Sequence, residues 1–538
     1  MASDGGYLRQ VRHSIIAIVL TLCGAGCKSD SNRDRSFVAA IASDPGQLNT
    51  AITTNGGVHT AAGILYDGLV ELDEQLRPIP ALAKSWDIEQ GGSFYRFHLR
   101  HNVKWHDGKP FGSADVKFTF DELLLKFHSR TRASLGPVLD RVDAPDDSTV
   151  EFVFRRPYAP LLQQLNMEEA PIMPEHIFRG SDPLRNPANS APIGTGPYKF
   201  VSYTPGSEIR FVANNEYFGG PPAISNLSVR IIPDASVQVI AFEAGEVDWL
   251  FGVPGPERSR LRKDPRFTVS QYPGYSGGSN CVSTLGFNLD RPLFRDIRLR
   301  RAVAYGVNRQ QVLERVLFGE GLVADAPISS GIRFAHASDL HVPAFDTAIA
   351  SRLLHDAGWI SAQNGGVRTS RGVKGVPDGT PLVVGFAAMP GQTKYGDILR
   401  AQLRVIGLDL RITPLESALF AETVFKKRDF DTAIISYCNG TDPEIGVRRQ
   451  YVSSSIVPVP FSNTAAYRNP EIDILFDSAS AALDTVIRKR LYHHIQEIAV
   501  RDQPYVWLVE TLNTVAFNSR CSGFSNSPHF AATAHCRN

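Results

Sequence analysis

The sequence predicts an α/β protein of two lobes, and three observations carry that prediction. Its 538 residues exceed the ~100–200 that one hydrophobic core usually serves, so two or three packed units are expected. Before about residue 285 the chain reads as short alternating strands with helices interspersed. After that point, a strand, a helix and a second strand follow one another within about 33 residues, the pattern of a βαβ unit with a right-handed crossover and parallel strands. Different architectures on the two sides imply two lobes with a cleft between them, where small-molecule sites concentrate.

Taken in order, Arg9, Arg12 and His13 precede an apolar run from Ile15 to Leu22, and Gly24-Ala25-Gly26 then lead to Cys27. This is the layout of a secretory signal over residues 1–27. The apolar run is about half of the ~20 residues that span a bilayer, so a permanent transmembrane anchor is the weaker reading. Small-small-Cys resembles a bacterial lipobox, which would place a lipid on Cys27 and keep the protein near the membrane. Gly24 stands where that pattern usually has Leu, which leaves plain cleavage as the alternative. Residues 28–36 are polar, charged and without periodicity, and read as a tether.

Strands follow. Tyr95, Phe97 and Leu99 alternate with Arg96, His98 and Arg100, and Val150, Phe152 and Phe154 alternate again. From Leu299 the spacing becomes helical, through Ala302 and Val303 to Val312, Leu313, Val316 and Leu317. The βαβ unit consists of the apolar run Leu382 to Met389, a helix carrying Ile398, Leu399, Gln402, Leu403 and Ile406 that Gly407 stops, and the alternating Leu408, Leu410 and Ile412. Trp359 and Trp507 read as core residues.

Composition narrows the function. Hydrophobic residues at 43% and charged residues at 21% are ordinary globular values, which disfavours disorder and multi-span membrane classes. Lys and Arg total 56 against 55 Asp and Glu, so no positive field exists to hold a polyanion, and nucleic acid is not an expected partner. HExxH does not occur, and no enzymatic activity is expected. His106-Asp107-Gly108 is first a turn signal, and the adjacent His493 and His494 do not share a helical face. Gly194-Thr195-Gly196-Pro197-Tyr198 lacks the Gly-Lys-Ser/Thr ending of a phosphate loop, so its glycines are assigned to backbone geometry. No cofactor and no metal are expected.

Six cysteines occur: Cys23, Cys27, Cys281, Cys438, Cys521 and Cys536. Signal removal deletes the first and lipidation would occupy the second. Four then remain in an oxidising compartment, which reads as two disulfides, with free buried thiols as the alternative. Cys521 and Cys536 are close enough in sequence to pin the C-terminal tail, and Cys281 with Cys438 would be a long-range tie. None of the spacings suits zinc.

The segment Ala81 to Gly108 resembles the signature region of the family-5 extracellular solute-binding proteins, which bind peptides, opines, nickel chelates and related solutes for ABC importers. Other landmarks fall in that family's order: Leu65-Tyr66-Asp67-Gly68-Leu69, the Gly194 to Tyr198 motif, Phe242 to Asp248, Phe287-Asn288, Phe294 to Arg298, Ala357-Gly358-Trp359, Asp429-Phe430-Asp431, Asp442-Pro443 and Asn469 to Asp473. The resemblance covers about residues 37 to 525. It implies a class II periplasmic-binding-protein-like fold with a hinge of crossing strands. The lobes would be an N-terminal one at 37–285 with an extra subdomain at about 70–180, a C-terminal α/β one at 286–505, and a return to the first at 506–538.

The same resemblance implies an extracytoplasmic clamp for a peptide or peptide-like solute, working as a monomer with ABC permease and ATPase subunits. Membrane contact would come only through a lipid on Cys27. A ligand-binding sensor or adhesion lipoprotein with the same clamp is the alternative, and a cell-envelope enzyme the third reading.

Peptide-binding relatives hold the ligand's α-ammonium with a carboxylate on the loop between the Phe-Asp strand and the Asp/Glu-Pro pair. Here that position falls on Asn439 counted back from Pro443, or on Gly440 counted forward from Asp431, and neither is an acid. An amide accepts a hydrogen bond from an ammonium without neutralising it. Asp442 could replace the anchor by swinging inward. Otherwise the solute is one without a free α-amine, such as an opine, a sugar-containing solute or a modified peptide. Thr54, Asn55 and Gly56 in the first loop and Tyr437 beside the cysteine are further candidate cleft residues. Cys281 and Cys438 match the positions of a second-lobe disulfide in the family, which favours their pairing.

Overall fold

The alternating residues of the first half become a four-stranded antiparallel sheet in the computed structural model, with strands Ala83–Glu89, Phe94–Leu99, Thr149–Phe154 and Leu139–Asp146 in spatial order. Tyr95, Phe97 and Leu99 are buried while their neighbours are half-exposed, so one face packs on a core and the other meets water. Phe97 meets Phe152 edge-on across the strand pair with ring centroids 5.5 Å apart, an arrangement that adds to area burial. The structure describes residues 37–272, 280–362, 365–525 and 527–537. The expected signal, the tether and Cys27 lie outside the described residues. Among the described residues no helix is long and apolar enough to cross a membrane.

A seven-stranded sheet carries the first lobe, in the order Phe267–Tyr272, Asn513–Asn518, Trp249–Leu250, Phe37–Ile41, Asn226–Ile231, Glu208–Ala213 and Tyr198–Thr204. The glycines of the Gly194 to Tyr198 motif have a packing reason: a Cβ at Gly194 or Gly196 would collide with the backbone of Ile64 and Leu65. His106 completes this joint. Its Nδ1 accepts from the Gly194 amide at 3.2 Å and its Nε2 donates to the Gly196 carbonyl at 3.0 Å. Burial lowers its pKa to about 4, so it stays neutral.

The second lobe has a six-stranded sheet in the order Leu322–Val323, Tyr505–Thr511, Cys281–Phe287, Thr432–Cys438, Val383–Ala388 and Asp409–Pro414. Val383–Ala388, the helix Thr393–Val405 and Asp409–Pro414 are the expected βαβ unit, with the strands parallel. Both faces of this sheet are covered: Ile434, Val506 and Leu508 enter one hydrophobic core, while Ile435, Tyr437 and Trp507 enter another. A strand buried on both faces reads as continuously apolar, as Thr432 to Tyr437 nearly does.

Two passages join the lobes. Strand Phe267–Tyr272 belongs to the first sheet and Cys281–Phe287 to the second, so the first passage lies between residues 272 and 281, ahead of the expected boundary at 285. The return comes between Tyr505–Thr511 and Asn513–Asn518, with only Leu512 separating strands of different sheets. Beside the return, Tyr272 pairs with Asn513 and Cys281 pairs with Thr511.

Beyond Asn518 the tail folds back onto the first lobe. Cys521 and Cys536 form a disulfide across a short strand pair. The loop they close inserts Phe524 and Phe530 against Trp249, with ring centroids 4.5 and 5.0 Å away. His529 reaches the Tyr66 carbonyl at 2.7 Å.

Candidate functional site

Adjoining cavities run along the first lobe, and one of them reaches the second. The smallest, of about 90 Å³, is walled by Thr54, Thr60, Arg130, Glu168, Phe251 and Asn513 among others, and Ser527 to Phe530 of the tail close it. Ser527 also borders a cavity of about 680 Å³, to which the first lobe contributes Asp67, Arg100 and Tyr217 and the second lobe contributes Gly331 and Arg333. On the other side, Thr60, Phe251 and Asn513 are shared with a cavity of about 520 Å³. The larger cavities have the size usual for small-molecule sites.

The first lobe offers this groove a capped helix start. Asn55 Oδ1 accepts from the Gly57 amide at 2.8 Å and the Val58 amide at 3.4 Å, an N-cap on helix Gly56–Ala62. Thr54 touches Ser129 hydroxyl to hydroxyl at 3.2 Å, and both Thr54 and Gly56 face the small cavity. Behind them His59 bonds the Thr53 carbonyl, and its pKa falls to about 4 through burial and then through the nearby Arg130. His128 is driven well below the ordinary range by the same two causes in the same order. Both rings are therefore neutral.

Arg130 bonds Glu169 through Nε at 3.0 Å. Burial raises the Glu169 pKa, and the Arg130 charge and hydrogen bond pull it back. From the second lobe Arg449 comes within electrostatic reach of the same pair, its pKa lowered to about 10 by burial first and by Arg130 second. Its donors go to the Gly446 carbonyl at 3.2 Å and the Cys438 carbonyl at 3.5 Å, and among the described residues it forms no salt bridge. Two guanidiniums thus approach Glu169 where the lobes meet, and Glu168 adds a second carboxylate to the wall of the small cavity.

The second lobe's loop from Tyr437 to Asp442 is closed on itself. Tyr437 is buried, with its hydroxyl 3.1 Å from the Ser462 carbonyl and 2.7 Å from Thr464 Oγ1. Asn439 is 0% exposed; its Oδ1 accepts from the Ser329 amide at 2.7 Å and its Nδ2 donates to the Tyr437 carbonyl at 3.2 Å. Gly440 takes a φ of 68°, in the left-handed region, and its carbonyl accepts from Asn280 Nδ2 at 2.9 Å. The strands on either side are joined by the Cys281–Cys438 disulfide at directly paired positions.

Asp442 does not point into the cleft as an anchor. It is 0% exposed, its Oδ1 caps the helix Pro443–Gly446 by accepting from the Glu444 amide at 3.0 Å, and Arg488 pairs with it at 2.8 Å. Removing it from Arg488 would strand a buried cation, so the inward swing is excluded on energetic grounds. Glu444 beside it is pushed up to about 7 by burial, with Arg448 opposing and Asp442 adding to the rise.

This part of the second lobe also touches the first. Thr441 Oγ1 donates to the Gln163 carbonyl at 3.0 Å, the Ala159 amide donates to the Ser480 carbonyl at 2.7 Å, and Asp477 bridges Arg156 at 3.1 Å and Arg448 at 2.8 Å.

Of the sequence candidates, Thr54 and Gly56 come together with the groove, Asn55 caps the helix beside them, and Tyr437, Asn439 and Asp442 are interior. Sequence reasoning missed Arg130, Glu169, Arg449 and Arg488. No local pattern marks them, because their partners lie 39 residues away for Arg130 and 46 for Arg488.

Comparison with known proteins agrees with this architecture. The family model described as bacterial extracellular solute-binding proteins, family 5 Middle, matches residues 77–457. The oligopeptide-binding protein AppA of Bacillus subtilis is 27% identical over 534 residues, covering 96% of this chain and 95% of that protein. Heme-binding protein A of Haemophilus influenzae is 25% identical over 529 residues, covering 94% and 92%. Among solved structures, NikA of Brucella suis in complex with Fe(III)-EDTA superposes with a TM-score of 0.80 at 24% identity, covering 93% of this chain and 98% of that one, a likeness of fold.

Proposed function

The chain belongs to the family-5 bacterial extracellular solute-binding proteins, the solute-capturing components of ABC import systems, and from that premise we propose that it takes a carboxylate-bearing solute whose α-amine is not recognised. The observation that carries the reading is the closed loop Tyr437 to Asp442. Asn439 has spent its amide on Ser329 and Tyr437, Gly440 has no side chain, and Asp442 is held by Arg488. No anion is left there to neutralise an ammonium. Arg130 and Arg449 supply guanidiniums beside Glu169 and Glu168, and a guanidinium fork matches a carboxylate. Opines and N-blocked peptides fit this chemistry. The relatives' names span an oligopeptide and heme, so the family label alone leaves the solute open.

Uptake follows the clamp mechanism: the solute binds one lobe, the lobes close about the return at 511–513, and the closed form docks on the permease. The protein acts outside the cytoplasm, held to the membrane by a lipid on Cys27. Thermal-shift titration with matched free-amine and N-acetylated acidic ligands tests the reading. Equal stabilisation by both members of a pair, and its loss in Arg449→Ala, are expected. Loss of binding on acetylation would refute it. An uptake defect in a deletion strain for the solute that the pure protein binds separates import from a sensor or adhesion role.

A further inference from the structure

In the second lobe, three potential metal ligands converge: Asp325, His336 and Glu510, with one ligand atom from each all within 4.8 Å of one another. We infer that they form a divalent-cation site that takes zinc, and that the ion clips the 325–336 segment to the strand Tyr505–Thr511.

Each residue keeps a lone pair for the ion. His336 Nδ1 lies 2.8 Å from the Ile328 carbonyl, which fixes that nitrogen as the donor and leaves Nε2 as a free acceptor, 3.5 Å from Asp325 Oδ1. An imidazole held by a backbone carbonyl on its far nitrogen is the usual outer-shell arrangement of a metal-ligating histidine. Glu510 is 2% exposed. It accepts from the Ser330 amide at 3.1 Å, Ser330 Oγ at 2.6 Å and Ser329 Oγ at 3.1 Å. A carboxylate has about four acceptor positions, so one remains. These donors are neutral, and among the described residues no Lys, Arg or His forms a salt bridge with Glu510, so its buried charge lacks a cation. Arg309 is near Asp325 but commits its guanidinium to the Ala324 carbonyl at 2.9 Å and the Pro343 carbonyl at 2.7 Å.

One imidazole and two carboxylates suit zinc, whose bonds of ~2.0–2.2 Å put tetrahedral ligands roughly 3.3–3.6 Å apart. Asp325 is exposed, so its rotation closes the cluster while water completes the shell. Among the described residues no other group of His, Cys, Asp and Glu converges in this way. His494 directs Nδ1 at Glu497 and Nε2 at Glu471, on opposite sides of its ring. The clip would also bear on the clamp, because the segment it anchors supplies Gly331 and Arg333 to the inter-lobe cavity and Glu510 stands two residues before Leu512.

The test uses the mature protein stripped with a chelator and titrated with zinc chloride by calorimetry, with thermal melts alongside. One tight equivalent per chain and a zinc-dependent rise in Tm that the chelator reverses are expected. Outer-shell losses alone weaken metal sites ~10–100-fold, so Asp325→Asn, which removes an exposed ligand without disturbing the core, should cost at least ~10-fold in affinity. His336→Ala should abolish the equivalent, and His494→Ala should keep it. Absence of a tight equivalent in the wild type, its retention in Asp325→Asn and His336→Ala, or its loss in His494→Ala would each overturn the inference.

Discussion

The two lobes carry candidate loops of opposite character. On the first lobe, Thr54 and Gly56 face the cavity, and Arg130 lines its wall beside the capped start of a helix. On the second lobe, the loop where peptide-binding relatives would place their anchor has every polar side chain engaged: Tyr437 with Ser462 and Thr464, Asn439 with Ser329, Asp442 with Arg488. The first loop has groups to give a solute; the second has only its shape and the neighbouring Arg449. Polar groups buried in low dielectric are costly to unpair, so the second loop is structural before it is selective.

That contrast can be broken by mutation, and the largest effect belongs to the second lobe. Asp442→Ala or Arg488→Ala leaves one partner of the buried pair uncompensated, with an expected loss of about 3–5 kcal/mol in denaturant unfolding. Loss of solute specificity at unchanged stability would show that Asp442 is the anchor after all. Replacing both Cys281 and Cys438 by Ser removes the tie between the strands that carry this loop, and should cost roughly 2–4 kcal/mol in the same measurement.

Glu444 gives the contrast a pH dependence. Its pKa is raised from 4.5 in the unfolded chain to about 7 in the fold, so the native state holds the proton more tightly. Stability contributed by this group is therefore full below pH 4.5 and is lost as pH rises to about 7, by no more than about 3 kcal/mol. Glu444→Gln should flatten this part of a stability profile; an unchanged slope would place the charge elsewhere. On the first lobe the effects on stability are small. Asn55→Ala removes a helix cap worth about 1 kcal/mol. Thr54→Ala should change stability by no more than about 0.5 kcal/mol while weakening solute binding, a separation that no residue of the second loop is expected to show.

The sequence made some of this legible and not the rest, for physical reasons. The βαβ unit at 383–414 was readable because periodicity is local, and the Phe94–Leu99 strand because one of its faces is wet. The first passage was displaced because Cys281–Phe287, buried on both faces, looks the same as a strand of either lobe; only its pairing with Thr432–Cys438 assigns it. The Cys281–Cys438 tie came from resemblance, since spacing alone does not choose among four cysteines. The interior position of Asn439 was not legible, because its partner Ser329 is 110 residues away. For the same reason Asp442 could be read as an anchor until Arg488 was found beside it.

Untargeted mass spectrometry of the solute carried through native purification tests the central claim most directly. A carboxylate-bearing solute that still binds with its α-amine absent or blocked is predicted. Recovery of ordinary free-amine peptides only, with binding lost when they are acetylated, would contradict it.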